Sequence, residues 1–404
     1  MKKAFTFHSP VIRHAARIAD EAIWEKSLEL FDNKQYLASF YTLLDYLNPD
    51  VRAKHGNASG SEFSVPHGSI VVNIRIEGEQ LTVTAPFLAM PEKGKVPFMR
   101  QLASLNDDLI MPQIVLEDDR LNFVFGCPLA MAHPHKLYNA IRQICLFGDK
   151  WDDEFVTKFG ATRLYEPKIT PYDSATVEKA IEIIRQSAAE CLEAVSWFEG
   201  KRDFQNVWGA ISITLFKIFH AVVPQGQLLN DLVKALDYHF RDDISPADMM
   251  KAGRAAIEKL GAMSVEQLAP ELYSVETLIS DKDNATLANI QEALEERAKK
   301  ARKSFESKDH LNCAMSILYT LYKIWYDKLV PDDVNAVMTD ALKRSSAVDF
   351  ETAAEILLTA IENIVEGDLT VEGGAGTGFG FDMAAYMKNV QDMMASFFGG
   401  GTKK

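Results

Sequence analysis

The stretch from residue 61 to residue 160 constrains the fold of this chain more than any other. Short β-branched and aromatic runs indicate two strand pairs, one around Glu77-Gly78 and one around Asp118-Asp119. A short helical pattern follows the first pair, and a longer one opens at His133-Pro134 after the second. The order strand, strand, helix, strand, strand, helix predicts an α+β fold, in which an antiparallel sheet packs against flanking helices.

The charge balance limits the classes of partner. The chain has 404 residues and a formal net charge of −14. Nucleic acids and anionic membranes are bound by basic faces, so neither is a predicted partner. No apolar run reaches the roughly 18 residues of a membrane span, and charged residues interrupt the region where a signal peptide would need an apolar stretch. The four cysteines are widely spaced, so we expect buried free thiols in the cytoplasm: Cys127, Cys145, Cys191 and Cys313.

Two helices are predicted ahead of the sheet, between residues 11 and 47, and Asn48-Pro49 ends the second. Helices followed by a split sheet, with a short helix after the first strands and a long closing helix, resemble the type III secretion chaperone-like fold. The resemblance covers about residues 15–160 and rests on the order of elements. It implies a dimer that holds an extended, partly unfolded segment of a partner protein on an exposed apolar surface. It implies no catalytic residues.

The composition divides the chain into three parts. Residues 1–165 form the chaperone-like α+β part with its N-terminal helices, and residues 173–367 have helical periodicity without strand signals. Pro167 and Pro171 mark an extended linker between these two parts. Residues 368–404 form a glycine-rich tether and a methionine-rich amphipathic helix.

The helical part contains an internal repeat, at about residues 190–260 and 297–366. Phe198-Glu199-Gly200-Lys201 matches Phe305-Glu306-Ser307-Lys308 at a separation of 107 residues, and apolar positions continue to agree beyond this match. Phe31-Asp32-Asn33-Lys34 indicates a fainter third copy. Repeated helix pairs bury their apolar faces by stacking, so the pattern predicts a helical bundle or solenoid.

The glycine tract at residues 373–380 is a tether by composition, and no cofactor is expected there. It lacks the lysine and hydroxyl residue of a phosphate-binding loop, and no G-x-G-x-x-G frame fits. The helix predicted after it has one apolar face, formed by Met383, Met387, Val390, Met394 and Phe397. Three outcomes stay open for this segment: docking on its own chain, binding a partner, or no fixed structure.

An acidic cluster offers an alternative from a different class. Two histidines and three aspartates, with three- and four-residue steps between the aspartates, are predicted to share one helix region: His133, His135, Asp149, Asp152 and Asp153. Hard cations need several such oxygens at short range, which would suit a metal-dependent enzyme. A solvated acidic helix face explains the same spacing. No nucleophile-elbow or HExxH pattern occurs.

The sequence therefore predicts a non-enzymatic, chaperone-like adaptor that captures another protein or peptide segment on apolar surfaces. Aromatic stripes in the helical part suit either a core or a peptide groove. The candidate contact residues come from the sheet, these stripes and the tail: Ile74, Ile76, Leu81, Val83, Phe123, Phe125, Trp208, Trp325, Met383, Met387, Met394 and Phe397. A metal-dependent enzyme and a purely structural scaffold are the alternatives.

Overall fold

The structure is a computed structural model that describes residues 3–12 and 19–371. Within these residues the chain is a mixed α+β protein with one six-stranded antiparallel sheet and fourteen α-helices, which confirms the predicted α+β class. None of the described helices is both long and apolar enough to cross a membrane.

The N-terminal half holds the sheet. Its elements are α1 (Glu21–Asp32), α2 (Tyr36–Leu47), α3 (Val51–His55), β1 (Glu62–His67), β2 (Ile70–Glu77), β3 (Gln80–Ala89), α4 (Lys95–Asp107), β4 (Gln113–Glu117), β5 (Arg120–Pro128), α5 (Pro134–Phe159) and β6 (Thr162–Arg163). The strand order is β1-β2-β3-β5-β4, and β6 pairs with the end of β3. His133 caps α5 and Pro134 opens it, as predicted, because proline at the first helical position gives up no helical hydrogen bond.

Three strands precede α4, where the sequence predicts two. The additional strand is β1, which pairs antiparallel with β2. It carries Pro66, a residue that is disfavoured in central strands and tolerated at sheet edges. Pro66 argues against a strand in the sequence pattern. The strand still forms, because β1 lies at the edge of the sheet, where proline is tolerated.

The inner face of the sheet forms the core of this half. Successive side chains of a strand point to opposite faces, so every second residue turns inward. The inward set packs with residues of α2, α4 and α5 and includes all six sheet candidates: Ile74, Ile76, Leu81, Val83, Phe123 and Phe125. Five of these are buried, and Ile76 is partly buried against the same core. This burial corrects the expectation that these side chains present an apolar docking surface.

The C-terminal half is helical. Its helices are α6 (Ser174–Gly200), α7 (Phe204–Val222), α8 (Gly226–His239), α9 (Pro246–Ala262), α10 (Val265–Leu268), α11 (Leu287–Glu306), α12 (His310–Asp327), α13 (Asp332–Arg344) and α14 (Phe350–Glu366). Short two-residue strands join its loops: β7 (Thr170–Pro171), β8 (Tyr273–Ser274), β9 (Asp283–Asn284) and β10 (Lys328–Leu329). Helices α6 to α9 and helices α11 to α14 form two four-helix units with the same helix order.

Equivalent positions in the two units differ by 106 residues, one fewer than the sequence comparison suggests. Asp203 caps α7 through the amide of Asn206, and Asp309 caps α12 through the amide of Asn312. A one-residue shift in the alignment still matches many apolar positions to apolar positions, because most residues of α7 are apolar. The caps remove that ambiguity, since each needs its carboxylate at the first turn of the helix.

Helices α7 and α12 pack against each other through equivalent faces. Near their N-terminal ends Asn206 Nδ2 donates to Asn312 Oδ1 at 2.7 Å. Near their C-terminal ends the ring contacts are reciprocal: Phe219 meets Tyr326 at 5.1 Å, and His220 stacks on Trp325 at 3.8 Å. Equivalent residues meet along the whole length, so the helices run parallel and a pseudo-two-fold axis relates the two units.

One turn geometry recurs at the α1–α2, α6–α7 and α11–α12 junctions. Lys34, Arg202 and Lys308 adopt left-handed backbone angles, with φ of 61°, 58° and 63°. In each case this residue and the next donate their amides back to the last turn of the preceding helix. The α1–α2 hairpin thus shares the turn of the repeat, while its buried residues belong to the sheet core.

Each half contributes a segment to the core of the other. Ala4, Phe5 and Ile12 are buried in the helical core, although they precede the α+β half in the chain. Leu278 and Ile279, from the loop between the helical units, are buried in the sheet core, where the Leu278 amide donates to His67 Nδ1 at 3.1 Å. The two cores are therefore not contiguous in sequence, unlike the predicted division at residue 165.

Candidate functional site

The pseudo-two-fold axis creates two equivalent grooves on the outside of the helical half. One lies between α6 and α7 and is called the filled groove here. The other lies between α11 and α12 and is called the open groove. Because the two are built from equivalent positions, differences between them identify what each can hold.

The filled groove is occupied by the chain's own residues 3–12. The Thr6 amide and hydroxyl both donate to Glu190 Oε1 of α6, at 2.8 and 2.9 Å. The Val11 amide donates to the Ala221 carbonyl of α7 at 2.9 Å. Phe5 is buried in the same core, with Lys217 Nζ 5.8 Å from its ring centre. An extended segment with apolar side chains therefore bridges the two helices.

A buried ion pair supports this segment. Lys217 Nζ donates to Glu190 Oε2 at 2.8 Å, and the Lys217 side chain is 1% exposed. Burial lowers the pKa of Lys217, and the facing Glu190 carboxylate opposes that change. His8 lies beside the pair, and burial followed by the Lys217 charge lowers its pKa to about 4. Glu190 thus holds both the cation beneath the segment and the segment's own backbone.

The open groove has a volume of about 330 Å³ and contains no described segment of the chain. Its floor is apolar, formed by Ala285, Ile290 and Ile324, and the Tyr319 ring lines it. Polar side chains complete the lining: Asn289, Arg297, Thr320, Lys323, Asp327 and Lys328. Two of the three cations are paired, Lys323 with Asp327 at 2.6 Å and Lys328 with Asp283 at 3.2 Å. This lining suits a segment that combines apolar side chains with carboxylate or carbonyl oxygens.

Equivalent positions differ sharply in exposure between the grooves. Ile183 and Ser187 of α6 are buried, whereas their counterparts Asn289 and Ala293 of α11 are exposed. The Lys217 side chain is 1% exposed and its counterpart Lys323 is 41% exposed. Helix positions of the same kind are covered in one unit and uncovered in the other.

The ion-pairing residues of the filled groove recur in the open groove. The counterpart of Glu190 is Glu296, and both groove lysines are retained. Here Lys323 Nζ donates to Asp327 at 2.6 Å, and Glu296 accepts from Lys299 at 2.9 Å. These are exposed pairs, which contribute little to stability and exchange partners at low cost. The open groove therefore keeps the two residue types of the filled groove's ion pair at equivalent positions, with each of them paired to another partner.

The two tryptophan candidates have different environments. Trp208 is half-buried, its Nε1 donates to the His239 carbonyl at 3.2 Å, and its ring lies 5.2 Å from Tyr319 at the wall of the open groove. Trp325 is buried: it stacks on His220, and its Nε1 donates to Asn335 Oδ1 at 2.9 Å. Trp325 is thus a core residue, which corrects its assignment as a contact residue.

The candidate metal ligands do not converge. His133 and His135 lie at the start of α5 against the rings of Phe31 and Trp24. Asp149 lies 16 positions beyond His133, a distance of about 24 Å along a helix. Its Oδ1 accepts from the Ser69 amide at 2.7 Å. In the part of the chain that the structure describes, no group of three or more His, Cys, Asp or Glu side chains is placed to hold a metal ion.

The other two aspartates of that cluster have a structural partner. Arg163 donates to both Asp152 and Asp153 where α5 meets β6. Burial, followed by the charge of Asp153, raises the pKa of Asp152 to about 7. The three aspartates therefore do not form the solvated acidic face that their spacing also suggests, since Asp152 is buried.

The cysteines are unsuited to nucleophilic chemistry. All four are free and buried, and burial raises the pKa of Cys145 well above its ordinary value and those of Cys191 and Cys313 to about 11. Since the thiolate is the reactive form, these thiols stay protonated and inert near neutral pH.

Sequence reasoning missed the open groove and the role of residues 3–12. One signal was present: at the corrected separation the apolar Ile183 of α6 aligns with the polar Asn289 of α11. The tail candidates lie outside the described residues: Met383, Met387, Met394 and Phe397. Comparison of the chain with models of known protein families and with curated proteins finds no match.

Proposed function

We propose that this protein is a non-enzymatic binding protein that holds an apolar polypeptide segment in the open groove between α11 and α12. The observation that carries the proposal is the filled groove. There, the pseudo-symmetric helix pair binds residues 3–12 through a Glu–Lys pair, backbone hydrogen bonds and a buried phenylalanine. Ser346 and the Val348 carbonyl of the second unit accept further hydrogen bonds from the same segment.

The composition of the open groove supports the same reading. Tyrosine and arginine, which both line the groove, are enriched at peptide and protein interfaces. The element order of the sheet half, now with three strands before α4, remains the basis for proposing a secretion-chaperone-like relationship and a chaperone-like role. In this proposal the partner is held by the helical half, while the inner face of the sheet serves as core.

A labelled peptide tests this proposal. The probe is fluorescein-labelled Lys-Ala-Phe-Thr-Phe-His-Ser-Pro-Val-Ile, the sequence of residues 3–12, titrated into the full chain and followed by anisotropy. The filled groove is blocked by its own tethered segment at high effective concentration, so the expected saturable binding reports on the open groove.

Two matched variants of α11 locate the binding. Ala293 is exposed and lines the open groove, so Ala293→Arg should abolish binding by filling it. Ala288 is exposed on the same helix outside the lining, so Ala288→Arg should leave binding unchanged. Binding that is absent from the full chain and all its variants, or that persists in Ala293→Arg, contradicts the proposal.

A further inference from the structure

The end of helix α14 contacts the first turns of α11, a helix that also lines the open groove. Helix α14 ends at Glu366, and Gln291 Nε2 of α11 donates to the Ile364 and Val365 carbonyls, both at 3.1 Å. Gln291 directly follows Ile290, which forms part of the groove floor. Leu369 still packs on the helical core, and the described residues end at Val371.

The chain beyond this point is long enough to reach the groove. Nine residues, 372–380, separate Val371 from the methionine-rich segment, and an extended chain of that length spans about 30 Å. The groove lining on α11 runs from Asn289 to Arg297, which is about 12 Å along a helix. The tether can therefore pass around α11 with length to spare.

The methionine-rich segment matches the chemistry of the groove. Its apolar residues recur at alternating steps of four and three, at positions 383, 387, 390, 394 and 397, which is the spacing of an amphipathic helix. Methionine side chains adapt to irregular apolar surfaces and make favourable contacts with aromatic rings such as Tyr319.

We propose that residues 381–398 of this chain occupy its own open groove and compete there with the partner polypeptide. The inference rests on the proposed function and adds its regulation: the N-terminal end of the chain fills one groove permanently, and the C-terminal end covers the other reversibly. An amphipathic segment between two helices is an established mode of peptide recognition. Release of the tail makes the groove available to a partner.

Full-length variants test the competition. In Met387→Glu/Met394→Glu, two charges enter the apolar side of the segment, so the tail should leave the groove. The matched control Asn389→Glu/Ser396→Glu adds the same charge on the opposite side of the predicted helix.

The probe is a fluorescein-labelled peptide with the sequence of residues 381–398, and its affinity is measured by anisotropy. We expect the methionine variant to bind this peptide at least 10-fold more tightly than the wild-type and control chains, because their tethered copy competes at high effective concentration. Adding Ala293→Arg should abolish the gain.

The outcomes distinguish failure of the tail inference from failure of the proposed function. Equal affinity in the wild-type chain and the methionine variant overturns the tail inference. If the residue 3–12 peptide still binds both chains equally and is blocked by Ala293→Arg, the proposed function stands alone. If neither peptide binds any variant, both statements fail. A wild-type dimer that becomes monomeric in the methionine variant, measured by light scattering, overturns the intramolecular form in favour of tail exchange between two copies.

Discussion

The filled and open grooves are built from the same helix positions and end in different states. Thr214 aligns with Thr320, Ile218 with Ile324 and Lys217 with Lys323, so each pair has the same residue type. In the first unit these positions lie beneath residues 3–12, and in the second they line a groove of about 330 Å³. At these α7 and α12 positions the difference lies in what covers each unit, whereas α6 and α11 differ in residue type, as at Ile183 and Asn289.

The comparison shows how a repeat can separate stability from binding. A groove that is filled by its own chain contributes to folding, because the covering segment buries apolar surface and satisfies the hydrogen bonds of Glu190. An equivalent groove without a described occupant retains the recognition chemistry for a ligand. Substitutions at equivalent positions of the two units distinguish a covered groove from an uncovered one.

The largest effect is expected from the glutamate of each groove. Glu190→Ala leaves the Lys217 cation buried without its partner, which should cost about 3 kcal/mol of the free energy of unfolding. Glu296→Ala removes an exposed pair and should cost less than about 0.5 kcal/mol. Urea denaturation of both variants measures the contrast. Similar losses in the two variants would show that the grooves are not differently covered.

The titration of His8 should have a smaller effect on stability. Its pKa is lowered by burial beside the filled groove, so its protonation affects only the packing of residues 3–12. Folded His8 stays neutral down to about pH 4, beside Lys217, Lys179, Glu190 and Glu182. An unfolded histidine has a pKa of about 6.5. Between these values the unfolded chain binds more protons than the folded chain. The contribution of His8 is therefore fully present above pH 6.5 and is lost as the pH falls through about 4.

Hydrogen exchange measures this loss at the segment itself. The Thr6 and Val11 amides should lose protection on acidification, by an amount worth at most about 1 kcal/mol after solvent screening. His8→Gln removes the titrating group and should flatten that pH dependence. Amides of α11 provide the internal reference, since residues 3–12 do not line the open groove. Unchanged protection in the wild-type chain from pH 7 to pH 4 would contradict the prediction.

The smallest effect tests the equivalence of the two units. Arg202 and Lys308 occupy left-handed backbone angles, which cost more for residues with a Cβ than for glycine. Glycine also increases the entropy of the unfolded chain, so Arg202→Gly and Lys308→Gly should each stabilise the chain by only about 0.5 kcal/mol. Thermal unfolding of the two variants should give equal shifts. Opposite signs would mean that the two turns are not equivalent.

Local features of the fold were predictable from residue patterns. Alternating β-branched residues indicate β2, β3, β4 and β5, and His133-Pro134 marks the start of α5, because these signals depend on neighbours in the chain. Strand β1 was missed, because Pro66 is a negative signal unless the strand is known to lie at an edge. The repeat was detectable from the sequence, but the predicted separation of the two copies was too large by one residue. Apolar residues of α7 lie on several sides of the helix, so the apolar pattern did not fix the alignment.

The candidate site was less predictable. The sheet residues with the strongest apolar pattern are core residues, since α2, α4 and α5 cover the face to which they point. Two histidines and three aspartates that are near in sequence are separated by the length of α5. Nothing in the pattern of residues 3–12 indicates that they cross to the far half of the molecule.

By itself, the sequence determined the α+β class, the helical repeat and the turn residues, because propensity, periodicity and capping act over a few neighbouring residues. Only the tertiary structure decided which groove is filled. Lys217 and Lys323 are the same residue at equivalent positions, and one is buried while the other is exposed. Burial depends on segments that arrive from distant parts of the chain. Residues 3–12 fill the groove of the first unit and also contact the α13–α14 loop of the second, where the Ala4 amide donates to the Val348 carbonyl. No described segment occupies the open groove.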